Sequence, residues 1–273
     1  MPPEPGARRA GRTPTIFAMG GGGFTMEPGN PALDDYVRSL APAREPRICL
    51  LPTAGGDSED QIRRFHATFH DQLCETSYIS LFRLGSKPVP LREHLLAQDV
   101  IYVGGGSMIN LLALWRAHGL DEILREAWQA GIVLAGLSAG SMCWFEWGVT
   151  KSVGRPTLAR GLGFLPGSNS VHYDGEPARR TIYRRLVADR TIPSGYGVDD
   201  GVGLRFEGAR LVDAVSSRPH ARAVWVQPHH GETMEERLPV RYLGDAAREE
   251  RPPPPDVTEW RLTERARRRR ARG

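Results

Sequence analysis

Thr15–Met19 is a short apolar run that ends in four glycines, Gly20 to Gly23. The same sign recurs where Arg47–Pro52 meets Thr53-Ala-Gly-Gly-Asp57, and where Asp99–Val103 meets Gly104-Gly105-Gly106. Continuous apolar runs closed by glycine predict buried strands with loops at their ends. Ser77–Phe82 and Ile132–Ala135 are predicted as two further strands. Between these runs the apolar spacing lengthens to that of a helix. Leu33, Tyr36, Val37 and Leu40 share a face in Asn30–Leu40, as do Leu120, Ile123, Leu124 and Trp128 in Leu120–Ala130, and Ser58–Leu73 and Met108–Ala117 are further candidate helices. Strands alternating with such helices predict an α/β fold, with a largely parallel central sheet and helices on both faces. Ligands of such sheets bind at the carboxyl ends of the strands.

After Trp147 the pattern changes to short strand-like pieces: Asn169–His172, Gly195–Val198, Val202–Phe206 and Ala221–Gln227. One Arg-rich helix is predicted near Pro177–Ala188. These pieces are expected to extend the same sheet. Past Pro239 the periodicity fades into Pro252–Pro255 and an Arg-rich end. The expected organisation is one folded domain over 14–240, with a disordered extension at 1–13 and a disordered tail at 241–273.

Charge and cysteine content narrow the picture. The net charge of +4 suggests a polyanion partner until it is located along the chain: residues 248–273 carry nine Arg against five acids, leaving 27 basic and 27 acidic side chains elsewhere. The body is balanced, so no nucleic-acid partner is expected and the tail reads as a solvated extension. No apolar run is long enough to span a bilayer, and Met1–Arg9 lacks the apolar stretch of a secretory signal. No membrane partner and a cytoplasmic location are therefore expected. Cys49, Cys74 and Cys143 are widely spaced with no Cys-x-x-Cys pair, as expected of packing thiols in a reducing compartment. A homodimer is compatible with the sequence, and no feature specifies one.

The strongest chemical signal is Gly136-Leu137-Ser138-Ala139-Gly140, a G-x-S-x-G run directly between the strand Ile132–Ala135 and the helix-compatible Ser141–Phe145. A sharp strand-to-helix turn strains the serine backbone and leaves no room for a Cβ two positions to either side. Ser138 would stand at the carboxyl end of the sheet, with the Ala139 N–H available to an oxyanion. The same small residues would serve any tight β–α turn. Gly104-Gly105-Gly106 could add a second backbone donor, or instead cradle a phosphate. For the base, His172 ends a short strand, and is preferred to His220, His229 and His230. For the orienting carboxylate, Asp199-Asp200 follows Gly195–Val198, with Asp200 narrowly preferred. The order Ser138, Asp199 or Asp200, then His220 or His229 would instead be that of an α/β-hydrolase esterase. A non-catalytic small-molecule binder, using Gly20–Gly23, Gly55-Gly56 and Gly104–Gly106 to hold a phosphate or nucleotide, is the other alternative, although neither a Walker-type loop nor a clean dinucleotide fingerprint is present. No metal or cofactor is expected, because neither HExxH nor Cys/His ligand spacing occurs.

These residues resemble peptidase E and its relatives, a serine peptidase family that also includes cyanophycinase. The likeness runs through Val103-Gly-Gly-Gly-Ser-Met-Ile-Asn-Leu-Leu112, the Leu-Ser-Ala-Gly elbow, Val171-His-Tyr173 and Gly197-Val-Asp-Asp-Gly201, in family order. It implies a fold like that of class I glutamine amidotransferases, a triad of Ser138, His172 and Asp200, and oxyanion donors at the Gly106 and Ala139 N–H groups. It also implies a small peptide substrate with aspartate at the scissile bond, as in a dipeptidase. The chain departs from the family pattern in offering Asp as the third carboxylate rather than Glu, and in continuing the elbow as Ser141-Met-Cys-Trp-Phe-Glu146. A pocket for a substrate carboxylate would want an arginine. Arg179, Arg180 and Arg155 are the candidates.

Overall fold

The computed structural model describes residues 12–70 and 74–244. The chain runs β1 (Thr15–Met19), α1 (Gly23–Met26), α2 (Ala32–Ser39), β2 (Arg47–Leu51), α3 (Glu59–His70), β3 (Glu75–Tyr78), α4 (Leu91–Leu96), β4 (Val100–Val103), α5 (Met108–Ala117), α6 (Leu120–Gln129), β5 (Val133–Leu137) and α7 (Ala139–Met142). It continues through β6 (Phe145–Thr150), β7 (Thr157–Arg160), β8 (Leu165–Val171), α8 (Pro177–Ala188), β9 (Gly195–Val198), β10 (Val202–Glu207), β11 (Arg210–Ser216), β12 (Ala223–His229), β13 (Glu232–Arg237) and β14 (Arg241–Tyr242).

Eight strands form the first sheet in the order β14-β11-β10-β1-β5-β4-β2-β3. Its half from β1 to β3 is parallel, while β10 and β11 join it antiparallel. Of the parallel strands, β1, β5, β4 and β2 are buried on both faces and alternate between two cores. Phe17, Met19, Ile48, Leu50, Val100 and Tyr102 face α2 and α3, where Leu33, Val37, Phe65 and Phe69 meet them. Ile16, Ala18, Cys49, Leu51, Ile101 and Val103 face the other side, against Leu95, Leu111, Trp115, Leu120 and Leu124 of α4, α5 and α6. Period-two alternation in a strand covered on both faces is what makes these runs continuously apolar.

The later strands do not simply widen that sheet, as the sequence had suggested. Six of them form a second sheet, β13-β12-β9-β8-β6-β7, and only β10, β11 and β14 extend the first. Phe145, Leu165, Val171, Val198 and Ala223 of the second sheet join the core shared with α4 to α6. Its other face carries α8 through Tyr183 and Val187, packed with Val149, Tyr173 and Val226.

Local departures have local causes. The strand expected at Ser77–Phe82 is displaced to Glu75–Tyr78, and Leu81–Arg83 forms a single 3-10 turn. Glu-Thr-Ser-Tyr is a half-exposed edge strand, so it has no apolar run to announce it. The helix expected at Ser141–Phe145 is one turn, Ala139–Met142, after which Phe145 opens β6. Beyond Pro239, where no structure was expected, β14 pairs with β11. The expected extensions at 1–13 and 241–273 fall largely, and the end of the helix Ser58–Leu73 partly, outside the described residues.

Candidate active site

Ser138 is the single residue between β5 and α7. Its backbone is held at φ 54° and ψ −112°, a conformation that costs a non-glycine residue on the order of 1–3 kcal/mol. The neighbouring backbone enforces it. The Ser138 N–H donates to Met19 O at 3.0 Å, and the Ser138 carbonyl accepts from Ser141 and Met142, each at 3.0 Å. A Cβ on Gly136 would lie 2.1 Å from Gly140 O, and one on Gly140 would lie 2.4 Å from Val103 O. Both glycines are thus required by close approach of the chain to itself, while Ser138 alone in the elbow stays partly exposed.

His172 follows the last residue of β8 and is itself left-handed, at φ 52°. Its Nε2 stands 2.9 Å from Ser138 Oγ, and its Nδ1 stands 2.5 Å from Asp200 Oδ1. A carboxylate can only accept, so Nδ1 carries the proton and Nε2 is left to accept from the Ser138 hydroxyl. The His172 and Asp200 side chains are each only 16% exposed, so this line of hydrogen bonds is shielded from competition by water.

Asp200 lies in the turn from β9 to β10, with its N–H donating to Asp174 Oδ1 at 3.1 Å. Asp199 points elsewhere. It accepts the Arg222 N–H at 2.9 Å, and burial raises its pKa, an effect that the Arg222 N–H and charge oppose. Of the two acids the structure therefore places Asp200, and not Asp199, on the imidazole.

The glycine loop after β1 completes the enclosure. Gly21 O accepts from Gly201 N at 3.1 Å, and a Cβ on Gly21 would fall 2.0 Å from Asp200 Oδ1 and 3.0 Å from His172 Cε1. Glu27 ties the same region to the β11–β12 connection through Ser217 Oγ at 2.6 Å and Arg218 Nε at 2.5 Å. Sequence reasoning noticed Gly20 to Gly23 only as a possible phosphate loop and missed Asp174, Glu27, Ser217 and Arg218. The glycine run was the available signal; no local pattern marks the other four.

The second glycine loop lies beside the elbow. A Cβ on Gly105 would come within 3.3 Å of Ser138 Cβ, and Gly106 takes φ 142°, where a Cβ would fall 2.1 Å from Ala54 O. Among the described residues, neither the Gly106 nor the Ala139 N–H has a hydrogen-bond acceptor. Two of the three candidate arginines are engaged. Arg180 pairs with Glu235 at 2.5 Å and lies over the Tyr173 ring. Arg179 is buried and donates to Val171 O at 3.2 Å, whereas Arg155 is exposed in the turn between β6 and β7. His220 is exposed, and His229 and His230 sit exposed at the β12–β13 turn.

A serine, a histidine and a carboxylate in one hydrogen-bonded line at the strand ends of an α/β fold are the equipment of a hydrolase. The chain belongs to peptidase family S51, whose model matches residues 16–213. The uncharacterized peptidase YgaJ of Bacillus subtilis (strain 168) is 50% identical over 229 residues, covering 84% of this chain and 99% of that protein. Imidazole glycerol phosphate synthase subunit HisH of Dehalococcoides mccartyi (strain CBDB1) is 28% identical over 159 residues, covering 58% of this chain and 69% of that one. That more distant likeness agrees with the glutamine-amidotransferase-like fold. Among solved structures, a peptidase from an acI-B1 Actinobacterium superposes with a TM-score of 0.62 at 21% identity, covering 84% of this chain and 95% of that chain. A putative peptidase E protein from Listeria monocytogenes EGD-e superposes at 0.51 and 16% identity, covering 82% and 98%.

Proposed function

We propose that the protein is a serine peptidase that cleaves small peptides through an acyl-enzyme on Ser138. The observation that carries this reading is the continuous line from Ser138 Oγ through the His172 ring to Asp200. In the proposed cycle His172 Nε2 takes the hydroxyl proton as Ser138 Oγ attacks the scissile carbonyl. The same nitrogen then returns the proton to the leaving amine. Asp200 keeps the imidazole in the required tautomer and stabilises its cation. The Gly106 and Ala139 N–H groups, which have no protein acceptor among the described residues, receive the oxyanion. Water then repeats the sequence on the acyl-enzyme, again with His172 as base.

The finer reading is a dipeptidase with a preference for aspartate at the scissile bond. It rests on the resemblance to peptidase E, and Arg179 and Arg180 do not favour it, because both are engaged within the protein. The buried free thiols Cys49 and Cys143 support action in a reducing compartment such as the cytoplasm. A binder that does no chemistry would have no use for two left-handed, non-glycine residues meeting in a hydrogen bond. The test is hydrolysis of Asp-X, Glu-X, isoaspartyl and neutral dipeptides by the wild type and Ser138→Ala. Release confined to Asp-X and abolished in the variant supports the full reading. Ser138-dependent release from another class keeps the mechanism and removes the specificity, and hydrolysis indifferent to Ser138 overturns both.

A further inference from the structure

Arg179 occupies a place that ordinary energetics disfavours for a cation. It lies in the first turn of α8, where the helix dipole repels positive charge, and its side chain is only 6% exposed. Burial accordingly lowers its pKa, an effect opposed by the charges of Glu176 and Asp200. Taking the two charges of a buried pair out of water costs several kcal/mol, and replacing the whole pair by apolar groups is often neutral or favourable, so a gain in stability is a weak account of why an arginine stands here.

What Arg179 touches supplies a better account. Its guanidinium donates to Val171 O at 3.2 Å, the carbonyl immediately before the left-handed His172. The rest of that turn is fixed by backbone: Tyr173 N donates to Val198 O at 3.1 Å, and Glu176 N donates to His172 O at 2.9 Å. Arg179 Nε lies 3.3 Å from Glu176 Oε2, and Lys151 Nζ reaches the same oxygen at 3.2 Å. These two contacts are ion pairs without hydrogen-bond alignment, since Arg179 Nε and Glu176 Oε2 have no hydrogen-bond partner. Among the described residues, the one aligned side-chain bond that Arg179 makes is the bond to Val171 O, at the entrance to the strained residue.

We infer that Arg179 is a positioning residue for His172: it clamps the Val171 carbonyl, with Glu176, shared with Lys151, as its counter-charge, and so holds the imidazole in line between Ser138 and Asp200. It is not the receptor for a substrate carboxylate. This inference rests on the serine peptidase reading. Without the clamp the turn relaxes toward ordinary φ, and the Nε2 to Oγ contact at 2.9 Å is made in only a fraction of molecules. A misplacement of about 1 Å at such a contact is enough to cost roughly a hundredfold in rate.

The experiment compares the full-length wild type with Arg179→Met, Arg179→Lys and Arg185→Met, the last an exposed arginine further along α8. Three readouts are taken: the rate of phosphonylation of Ser138 by a fluorophosphonate, kcat and KM on the best dipeptide, and Tm. For Arg179→Met the expected result is a fall of about tenfold or more in labelling rate and kcat, with KM within about twofold and a lower Tm, because Glu176 and the Val171 carbonyl each lose a partner. Arg179→Lys, shorter and without the fork, should fall between, and Arg185→Met should match the wild type. A kcat kept while KM rises for acidic substrates would make Arg179 a substrate receptor and overturn the inference. So would labelling of Arg179→Met at the wild-type rate, or of Arg179→Lys at that rate should the Met variant not fold. Failure of the wild type itself to label at Ser138 is a different outcome, and it removes the serine peptidase reading on which the inference stands.

Discussion

Substituting Gly21 by alanine should disable the enzyme without unfolding it. The added Cβ would be 2.0 Å from Asp200 Oδ1 and 3.0 Å from His172 Cε1, whereas real Cβ atoms almost never approach other heavy atoms within 3.0 Å. The carboxylate oxygen must therefore retreat by about 1 Å or more, and the Nδ1 to Oδ1 bond of 2.5 Å cannot survive that retreat. Loss of the orienting acid in a triad of this kind costs roughly 10⁴ in kcat, and a shift of about 1 Å costs roughly 10². The expected fall in kcat/KM is between those limits, about 3–5 kcal/mol of transition-state stabilisation. Gly21 does not use positive φ, so alanine brings no backbone penalty, and the smaller entropy of its unfolded chain offsets part of the local strain. The assay is dipeptide hydrolysis alongside thermal unfolding. A folded Gly21→Ala protein within threefold of wild-type kcat/KM would refute the argument that Asp200 works through this contact.

The two neighbouring acids should separate cleanly. Asp200→Asn is expected to lower kcat by about 10⁴, while Asp199→Asn, which keeps an acceptor for the Arg222 N–H, should change kcat by less than about threefold; equal losses in steady-state assays would contradict the geometry. Asp34 offers a test through pH. It is wholly buried, bonded to the Tyr102 hydroxyl at 3.3 Å, and burial raises its pKa from 3.8 to about 8. The folded protein keeps this carboxyl protonated where the unfolded chain would ionise it, so its contribution is full below about pH 4 and is lost as pH rises toward 8. Asp34→Asn should remove that loss, raising Tm at pH 8 relative to the wild type while leaving the two proteins close at pH 5. A wild-type Tm that gains as much as the variant between pH 5 and pH 8 would contradict it.

How much of this was written in the sequence depends on how local each cause is. Buried parallel strands announce themselves, because both faces are covered and the run is apolar throughout; β1, β2, β4 and the helices Met108–Ala117 and Pro177–Ala188 stand where, or within one residue of where, the pattern puts them. The edge strands β3, β7 and β13 are half-exposed or exposed, and their pairing is decided by distant partners rather than by their own composition. The elbow was legible because its G-x-S-x-G pattern lies within five residues, although Gly140 itself is kept small by Val103 of β4. Asp174 and Gly21 were not, because each acts on Asp200 from another part of the chain.

The division into two sheets explains where the site lies. Ser138 ends β5 of the first sheet and opens α7, the turn that carries the chain to β6 of the second; Asp200 sits where the chain leaves β9 of the second sheet for β10 of the first. His172 ends β8, the parallel neighbour of β9. Two of the three groups thus occupy the points at which the backbone crosses between sheets, and the third stands next to one crossing. A crossing fixes backbone direction abruptly, which is why Ser138 must take φ 54° and why the glycines around it have no room for side chains. It also means that the 2.9 Å contact between Ser138 and His172 reports how the sheets seat on each other. The bonds that stitch the crossings together, Ser138 N to Met19 O and Gly201 N to Gly21 O, both come from the β1 glycine segment. The glycine run that in sequence suggested a phosphate loop therefore has a different physical task, which is to bring the end of one strand close enough to hold both crossings at once.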